Sequence, residues 1–225
     1  TLTPSSPDAG ADYFEIQKAD LFWYERLWAV LLRQLEKRTY GRSLVEFGSG
    51  PGFLLAQAAR RRWSVIGEEP SALARDHAGR LGQISAEPGY WLFQSDAGIA
   101  TEVLEHVEDA QATLREWRDA IVDGGHLALS VPNDNNPLQR LFWSKTKPWI
   151  TPLHRRYYGM KTLCADLKSA GFDVVWRRTS FPVELLLVLP IKRKWAWKLS
   201  RLWPAPPLLW RLGIGRHCLV IARKR

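Results

Sequence analysis

The sequence predicts an α/β fold with a mostly parallel sheet and helices on both faces. Short apolar runs alternate with segments whose apolar residues recur at helical spacing, which is typical of βαβ units. Three glycines follow the first apolar run, in E-F-G-S-G-P-G at residues 46–52, and the second run ends in two acids, in G-E-E-P-S at 67–71. Because ligands of such sheets bind at the carboxyl ends of the strands, both stretches are predicted to lie at the ligand edge.

The chain begins with a Pro- and Ser-rich stretch. Residues 1–19 are therefore predicted to be a flexible tail, ahead of a single domain over 20–225. The start has neither the basic residues nor the apolar core of a signal peptide. Residues 20–38 have apolar positions at helical spacing, which predicts a leading amphipathic helix and a helical cap over 20–40.

The remaining elements follow as strands alternating with helices. Ser71 is predicted to cap the helix that follows the second strand, and the turn at Gly124 and Gly125 to close a later helix. Pro132 ends the fifth strand and Gly171 stops the last helix. The predicted strands are 44–47, 63–67, 83–86, 96–101, 126–131, 172–177 and 217–223, and the helices between them are 53–62, 71–81, 109–121 and 161–170.

The glycines and the acids predict a site for a nucleoside that carries an amino acid. Gly48 and Gly50 allow a sharp turn, Gly52 opens the helix, and small residues let backbone N–H groups approach a ligand. Many such turns only connect a strand to a helix, so the nearby acids are needed to distinguish a ligand site from a simple connection. Glu69, at the tip of the second strand, can accept hydrogen bonds from both ribose hydroxyls. A buried acid such as Glu46 needs a cationic or hydrogen-bonding neighbour, and a dinucleotide has no ammonium group there.

Four stretches, in this order and spacing, resemble the class I S-adenosylmethionine (SAM)-dependent methyltransferases. They are E-F-G-S-G-P-G, G-E-E-P-S, A-T-E-V-L-E-H-V-E-D-A and D-G-G-H-L-A-L-S-V-P-N, and the resemblance covers residues 40–180 and the last strand. It is nearest to the small-molecule branch that includes the quinone-biosynthesis O-methyltransferases. The resemblance implies a Rossmann-like sheet of seven strands in the order 3-2-1-4-5-7-6 with an antiparallel last strand, and SAM as the cofactor.

The same resemblance implies which residues bind the cofactor. The first acid and the glycine turn would surround the methionine part, Glu69 would bind the ribose, and the tip of the fourth strand would lie near the methyl group. The acid that contacts adenine in relatives has no clear match, and Glu87, Ser85 and Ala86 are alternatives. The residues predicted to bind the cofactor are Glu46, Gly48, Ser49, Gly50, Gly52, Glu69, Pro70, Thr101 and Glu102.

Two of the five histidines are predicted to be catalytic. His154, in P-L-H-R-R-Y-Y, resembles the acceptor-facing loop of the family, and His106 follows the fourth strand. Either could take a proton from an acceptor hydroxyl near neutral pH, although capping of a helix by His154 and loop packing by His106 remain alternatives. His77 is predicted to lie on a helix surface. His126 and His217 are predicted to begin strands at the edge away from the ligand.

The second part of the chain is basic and rich in Trp. Residues 1–138 hold 13 Lys/Arg and 20 Asp/Glu, whereas residues 139–225 hold 19 and 3, with 7 of the 12 Trp. The insertion at 181–216, before the last strand, mixes Leu and Trp with Lys and Arg. It predicts a basic amphipathic helix that docks on an anionic membrane surface, or a lid over the acceptor pocket. Nucleic acid is the least favoured partner. The T-E-V-L tip of strand four lacks the Asn/Asp-Pro-Pro-aromatic motif of DNA amine methyltransferases, which argues against DNA methylation of exocyclic amines.

The sequence and its resemblance to this family therefore predict a cytoplasmic methyltransferase, either soluble or peripherally attached to the inner membrane face, that acts on a small hydrophobic acceptor. Oxygen is favoured over nitrogen and carbon as the methylated atom. An RNA methyltransferase that uses the basic part, and a methyltransferase-like scaffold without activity, are the alternatives. The two cysteines, Cys164 and Cys218, are far apart, fit a reducing compartment and predict neither a disulfide nor a metal site. No apolar run is long enough to span a bilayer.

Overall fold

A computed structural model describes residues 9–87, 94–136, 154–180 and 215–225 of the chain. The predicted insertion over 181–216 lies outside the described residues except for Gly215 and Arg216. None of the helices in the described part is both long and apolar enough to cross a membrane.

Helices and strands alternate along the described chain as the sequence predicts. The first helix precedes the first strand, and no described helix separates the third strand from the fourth or the sixth strand from the seventh. The elements are α1 (Ala9–Glu36), β1 (Ser43–Phe47), α2 (Phe53–Arg60), β2 (Ser64–Glu68), α3 (Ala72–Arg80), β3 (Ser85–Ala86), β4 (Ser95–Thr101), α4 (Ala110–Asp119), β5 (Ile121–Pro132), α5 (Met160–Ser169), β6 (Phe172–Thr179) and β7 (His217–Lys224).

The seven strands form one sheet in the order β3-β2-β1-β4-β5-β7-β6. Strands β1 to β5 are parallel, whereas β7 runs antiparallel to both β5 and β6, so the predicted order and the predicted antiparallel strand are confirmed. Because β1 to β5 are parallel, their C-terminal ends lie along the same side of the sheet. We call this side, formed by the ends of β1, β2, β4 and β5, the carboxyl edge. Because β7 runs the other way, its first residue lies at this edge: His217 pairs with Pro132, the last residue of β5.

Apolar side chains pack on both faces of the sheet. On one face, Leu31 and Leu32 of α1 are fully buried in a cluster that includes Leu44 of β1. On the other face, Phe47 stacks on Trp117 of α4, with 4.9 Å between the ring centroids. Side chains alternate between the faces of a strand, so Glu46 shares the face of Leu44 and interrupts an apolar row.

Two predicted boundaries are wrong. Helix α1 begins at Ala9, so residues 9–19 are helical and not part of a flexible tail. The Pro and Ser residues that suggested a tail precede this stretch, which contains good helix formers such as Ala, Glu, Gln and Lys. Helix α4 ends at Asp119, and Gly124 and Gly125 lie within β5 instead of closing the helix. Gly124 has a φ of 73° and lies at the point where the pairing of β4 with β5 shifts register.

Candidate active site

The glycine turn joins β1 to α2 at the carboxyl edge. Gly48, Gly50 and Gly52 have φ angles of 70°, 50° and 83°, in the left-handed region that favours glycine. A Cβ added at Gly48 would lie 2.6 Å from a methyl carbon of Val103, and one added at Gly52 would lie 2.8 Å from the Cβ of Ala78. The turn therefore requires glycine for its conformation and for the space around it.

We expect Gly52→Ala to lower the free energy of unfolding by about 2 kcal/mol. The left-handed conformation costs a residue with a Cβ about 1–2 kcal/mol, and the contact with Ala78 adds to this. Thermal unfolding without ligand measures the loss. Gly79→Ala is the matched control, since its added carbon meets nothing within 4 Å and alanine favours a helix, so this variant should be as stable as the wild type or more stable. Equal stability of the two variants would contradict the prediction.

The N–H groups of the turn are bonded within the chain. The amides of Gly48 and Ser49 both donate to the carbonyl oxygen of Glu68 at 2.8 Å, and the amide of Gly50 donates to Oε2 of Glu69 at 2.9 Å. The expectation that these N–H groups approach a ligand is therefore not met by this geometry. A phosphate would need free donors here, so the turn suits a ligand that brings its own donors.

Glu69 follows β2 and is half-buried beside the turn. Its Oε2 accepts from the amide of Gly50, and its Oε1 accepts from the amide of Ser71, each at 2.9 Å. Burial raises the pKa of Glu69, and these two backbone hydrogen bonds act in the opposite direction. Each carboxylate oxygen can accept a second hydrogen bond, so the group retains the capacity to bind two hydroxyls.

Glu46 is a buried carboxylate at the end of β1. It is 3% exposed, and its Oε2 has no hydrogen-bond partner in the described part of the chain. Burial, together with the nearby charge of Glu69, raises the pKa of Glu46 well above its ordinary value, while a backbone hydrogen bond from Leu55 lowers it. An unsatisfied carboxylate in such a place is costly, and a ligand with an ammonium group would stabilise it.

Thr101 and Glu102 lie at the end of β4. The indole N–H of Trp28 on α1 donates to Oγ1 of Thr101 at 3.3 Å, so the leading helix covers this part of the edge. Glu102 has a φ of 57° and accepts a hydrogen bond of 2.8 Å from Ser130 Oγ on β5. Burial raises the pKa of Glu102 to about 7, which makes it a potential proton acceptor near neutral pH.

The prediction that His217 lies away from the ligand edge is wrong. Its Nε2 lies 3.6 Å from Oε2 of Glu102, and its Nδ1 lies 3.2 Å from Oγ of Ser180. Burial lowers the pKa of His217 to about 3, so the imidazole is neutral and adds no positive charge beside Glu102. An antiparallel last strand was itself predicted, and that orientation was the signal that could have placed His217 correctly.

The two histidines predicted to be catalytic lie side by side. The ring centroids of His106 and His154 are 4.9 Å apart, with the planes at 69°. Burial and the neighbouring His106 lower the pKa of His154. His126 lies at the opposite edge of the sheet, as predicted, in the wall of a cavity of about 530 Å³. Nδ1 of His77 lies 3.0 Å from the carbonyl oxygen of Pro51, next to the glycine turn.

The adenine contacts stay a prediction. Ser85 Oγ on β3 lies 2.8 Å from Ser49 Oγ, which places both hydroxyls beside the glycine turn. Glu87 is exposed and forms an ion pair with Arg75 at 2.9 Å. The residues that follow, 88–93, lie outside the described part.

Comparison with known proteins identifies the family. Residues 19–176 match a family model described as a methyltransferase domain. This match spans more than half of the chain, so the chain belongs to the methyltransferase domain family. A search of curated proteins finds no significant match.

Solved structures show the same fold at low sequence identity. A chain of the complex between the Haloferax volcanii Trm112 methyltransferase activator and a methyltransferase has 16% identity, 98% coverage of both chains and a TM-score of 0.68. A SAM-dependent methyltransferase from Thermotoga maritima has 18% identity, 96% coverage of both chains and a TM-score of 0.63. Magnesium protoporphyrin IX methyltransferase from Synechocystis PCC 6803, with bound S-adenosylhomocysteine (SAH), has 13% identity, 93% coverage of this chain, 87% of its own and a TM-score of 0.64.

The fold is that of the class I SAM-dependent methyltransferases, as predicted. Together with the family, it defines the chain as a SAM-dependent methyltransferase with SAM as its cofactor. The side chains at the carboxyl edge fit this cofactor, since Glu46 needs a cationic partner and Glu69 keeps room for two hydroxyl donors. The quinone-biosynthesis branch stays a prediction.

Proposed function

We propose that the chain transfers a methyl group from SAM to a small, hydrophobic acceptor, and that oxygen is the favoured acceptor atom. One observation carries the cofactor part of the proposal. The buried carboxylate of Glu46, at the end of β1, has an oxygen without a partner among the described residues and lies near Glu69. Both acids stand beside the glycine turn, whose N–H groups are bonded internally. This arrangement suits a ligand with an ammonium group and ribose hydroxyls, and it does not suit a phosphate.

The residues of the turn would bind and orient the cofactor. Glu46 would hold the ammonium group, and Glu69 would accept from the ribose hydroxyls through its remaining lone pairs. Thr101 would line the site near the methyl group. When bound, SAM supplies an electrophilic methyl group on a sulfonium. The chain's own contribution is to align the acceptor with that methyl group and to exclude water.

The acceptor side would hold a group that takes a proton. A hydroxyl acceptor has to lose its proton, and a positioned base contributes about 10²–10⁴-fold to the rate. His154 and His106 are the bases predicted from the sequence. Glu102 is a further candidate, because its pKa of about 7 suits the task and a hydrogen bond from Ser130 orients it. A base of this kind supports oxygen as the acceptor atom, since a neutral amine can attack with its lone pair while it still holds its protons.

Thermal unfolding with and without SAM and SAH tests the proposed cofactor. At a ligand concentration of about 100 times the dissociation constant, binding adds roughly 2.7 kcal/mol to the free energy of unfolding, which raises the Tm by about 5–10 °C for a chain of this size. NADH at the same concentration is the control and should cause no shift. The absence of a shift with millimolar SAM and SAH would favour the scaffold without activity and would contradict the proposal.

A further inference from the structure

Glu105 is a second buried carboxylate near the carboxyl edge. It is 1% exposed, and neither of its side-chain oxygens has a hydrogen-bond partner in any other described residue. Burial, together with the charge of Glu102, raises the pKa of Glu105 well above its ordinary value. An unpaired carboxylate in the interior is costly, so this position calls for a proton or a cation.

The arginines next to Glu105 are paired with other acids. The backbone amides of Arg155 and Arg156 donate to the carbonyl oxygen of Glu105 at 2.8 and 3.2 Å, which joins the loop after β4 to the segment before α5. The guanidinium group of Arg155 pairs with Glu108 at 2.9 Å, and that of Arg156 pairs with Asp166 at 2.8 Å. A cation at the side chain of Glu105 would therefore come from the neighbouring histidines or from solution.

The junction of these two segments brings two imidazoles to Glu105. Nε2 of His106 lies 3.9 Å from Oε1 of Glu105, too far for a hydrogen bond. The ring of His154 lies against that of His106, and Nδ1 of His154 is buried without a hydrogen-bond partner among the described residues. One ligand atom from each of the three residues lies within 4.8 Å of the other two.

We propose that Glu105, His106 and His154 bind a divalent transition-metal ion. Two imidazole nitrogens and one carboxylate oxygen form a ligand set that zinc accepts in three-ligand sites, with a fourth position open to water or another ligand. Imidazole ligands favour zinc and related ions over magnesium and calcium, which prefer oxygen. The bound ion would neutralise Glu105 and engage the buried nitrogen of His154.

The ligand atoms need only a small adjustment to reach metal-binding distances. Zinc–ligand bonds of about 2.0–2.2 Å at tetrahedral angles place ligand atoms about 3.3 Å apart. Side-chain rotations that move the atoms by about 1 Å would close the present separations. The ion would hold both imidazoles, so neither could act as a base. In the proposed methyl transfer, Glu102 would then be the proton acceptor in their place.

Zinc binding by the full chain, after removal of metals with EDTA, tests this site. Competition with a chromophoric chelator is expected to show one Zn²⁺ per chain, with a dissociation constant at or below the micromolar range. Glu105→Gln keeps the shape of the side chain, and His154→Ala removes a half-buried ring. Each is expected to weaken zinc binding at least about tenfold. Co²⁺ in place of Zn²⁺ should give the intense visible absorption of a four-coordinate site.

Two variants serve as matched controls. Glu108→Gln changes an exposed acid three residues away, and His126→Gln changes a histidine at the opposite edge of the sheet, so both should bind zinc like the wild type. Failure of the wild type to bind one Zn²⁺, or equal affinity of all the variants, would overturn the proposal. The SAH-induced rise in Tm, measured on the metal-free wild type, separates the metal site from the proposed function. If the wild type binds no zinc but SAH still raises its Tm, the metal site alone would be overturned.

Discussion

Glu69→Ala is expected to weaken the binding of SAM and SAH at least tenfold while the fold stays intact. The carboxylate would lose two charge-assisted hydrogen bonds to ribose hydroxyls, each worth roughly 1.5–3 kcal/mol, and every 1.4 kcal/mol is a factor of ten in affinity. The amides of Gly50 and Ser71 would also lose their acceptor, so the turn would be less ordered before it binds. Isothermal titration calorimetry with SAH measures the affinity, and near-UV circular dichroism checks the fold.

Glu68→Gln is the matched control for this variant. Glu68 precedes Glu69, and side chains of successive residues in a strand point to opposite faces. Burial, and after it the charges of Glu116 and Glu69, raises the pKa of Glu68 to about 7. Its side chain is therefore partly buried and not fully solvated. The control variant should bind SAH like the wild type. Unchanged affinity in Glu69→Ala would remove Glu69 from the ribose, and an equal loss in both variants would indicate a general effect of charge.

The order of the strands could be predicted because each strand leaves a local mark in the sequence. Apolar runs such as 44–47 are bounded by Gly, Pro or charged residues, and the cap at Ser71 forms as predicted, with its Oγ accepting from the amide of Ala74. Boundaries that depend on distant contacts were harder to predict. Gly124 resembles a helix stop, yet Ile121 already pairs with Ser95 of β4, so the chain enters the sheet before it reaches the glycine.

Features of the candidate site could be predicted where an unusual residue stands in a strand, and less well where contacts cross the sheet. Glu46 was conspicuous because a carboxylate interrupts an apolar run. The use of the turn's N–H groups was not visible, because their acceptors, the backbone of Glu68 and the side chain of Glu69, belong to another strand and its end. The cluster of Glu105 with His154 was not visible either. The two residues are 49 positions apart, and they meet where the backbone amides of Arg155 and Arg156 donate to the Glu105 carbonyl.

Glu46→Gln is expected to weaken cofactor binding and to stabilise the protein without ligand. Glutamine has nearly the same shape and can still accept the hydrogen bond from Leu55, but it carries no charge to bury. The pKa of Glu46 is raised in the folded state, so its contribution to stability is full below the unfolded pKa of about 4.3 and is lost as the pH rises through the folded pKa. The Tm of the variant should therefore exceed that of the wild type by more at pH 8 than at pH 5.

The opposite signs of the two effects make this variant decisive. A carboxylate that only filled space would change stability without changing affinity, whereas loss of a charge-assisted bond to the ammonium group would lower affinity roughly 10- to 100-fold. Asp76→Asn, which changes an exposed acid on α3, should alter neither quantity appreciably. Unchanged SAH affinity in Glu46→Gln would refute the ammonium contact. A lower Tm at pH 8 would mean that the carboxylate already has a cationic partner in the free protein, and the methionine part would then need a different acceptor.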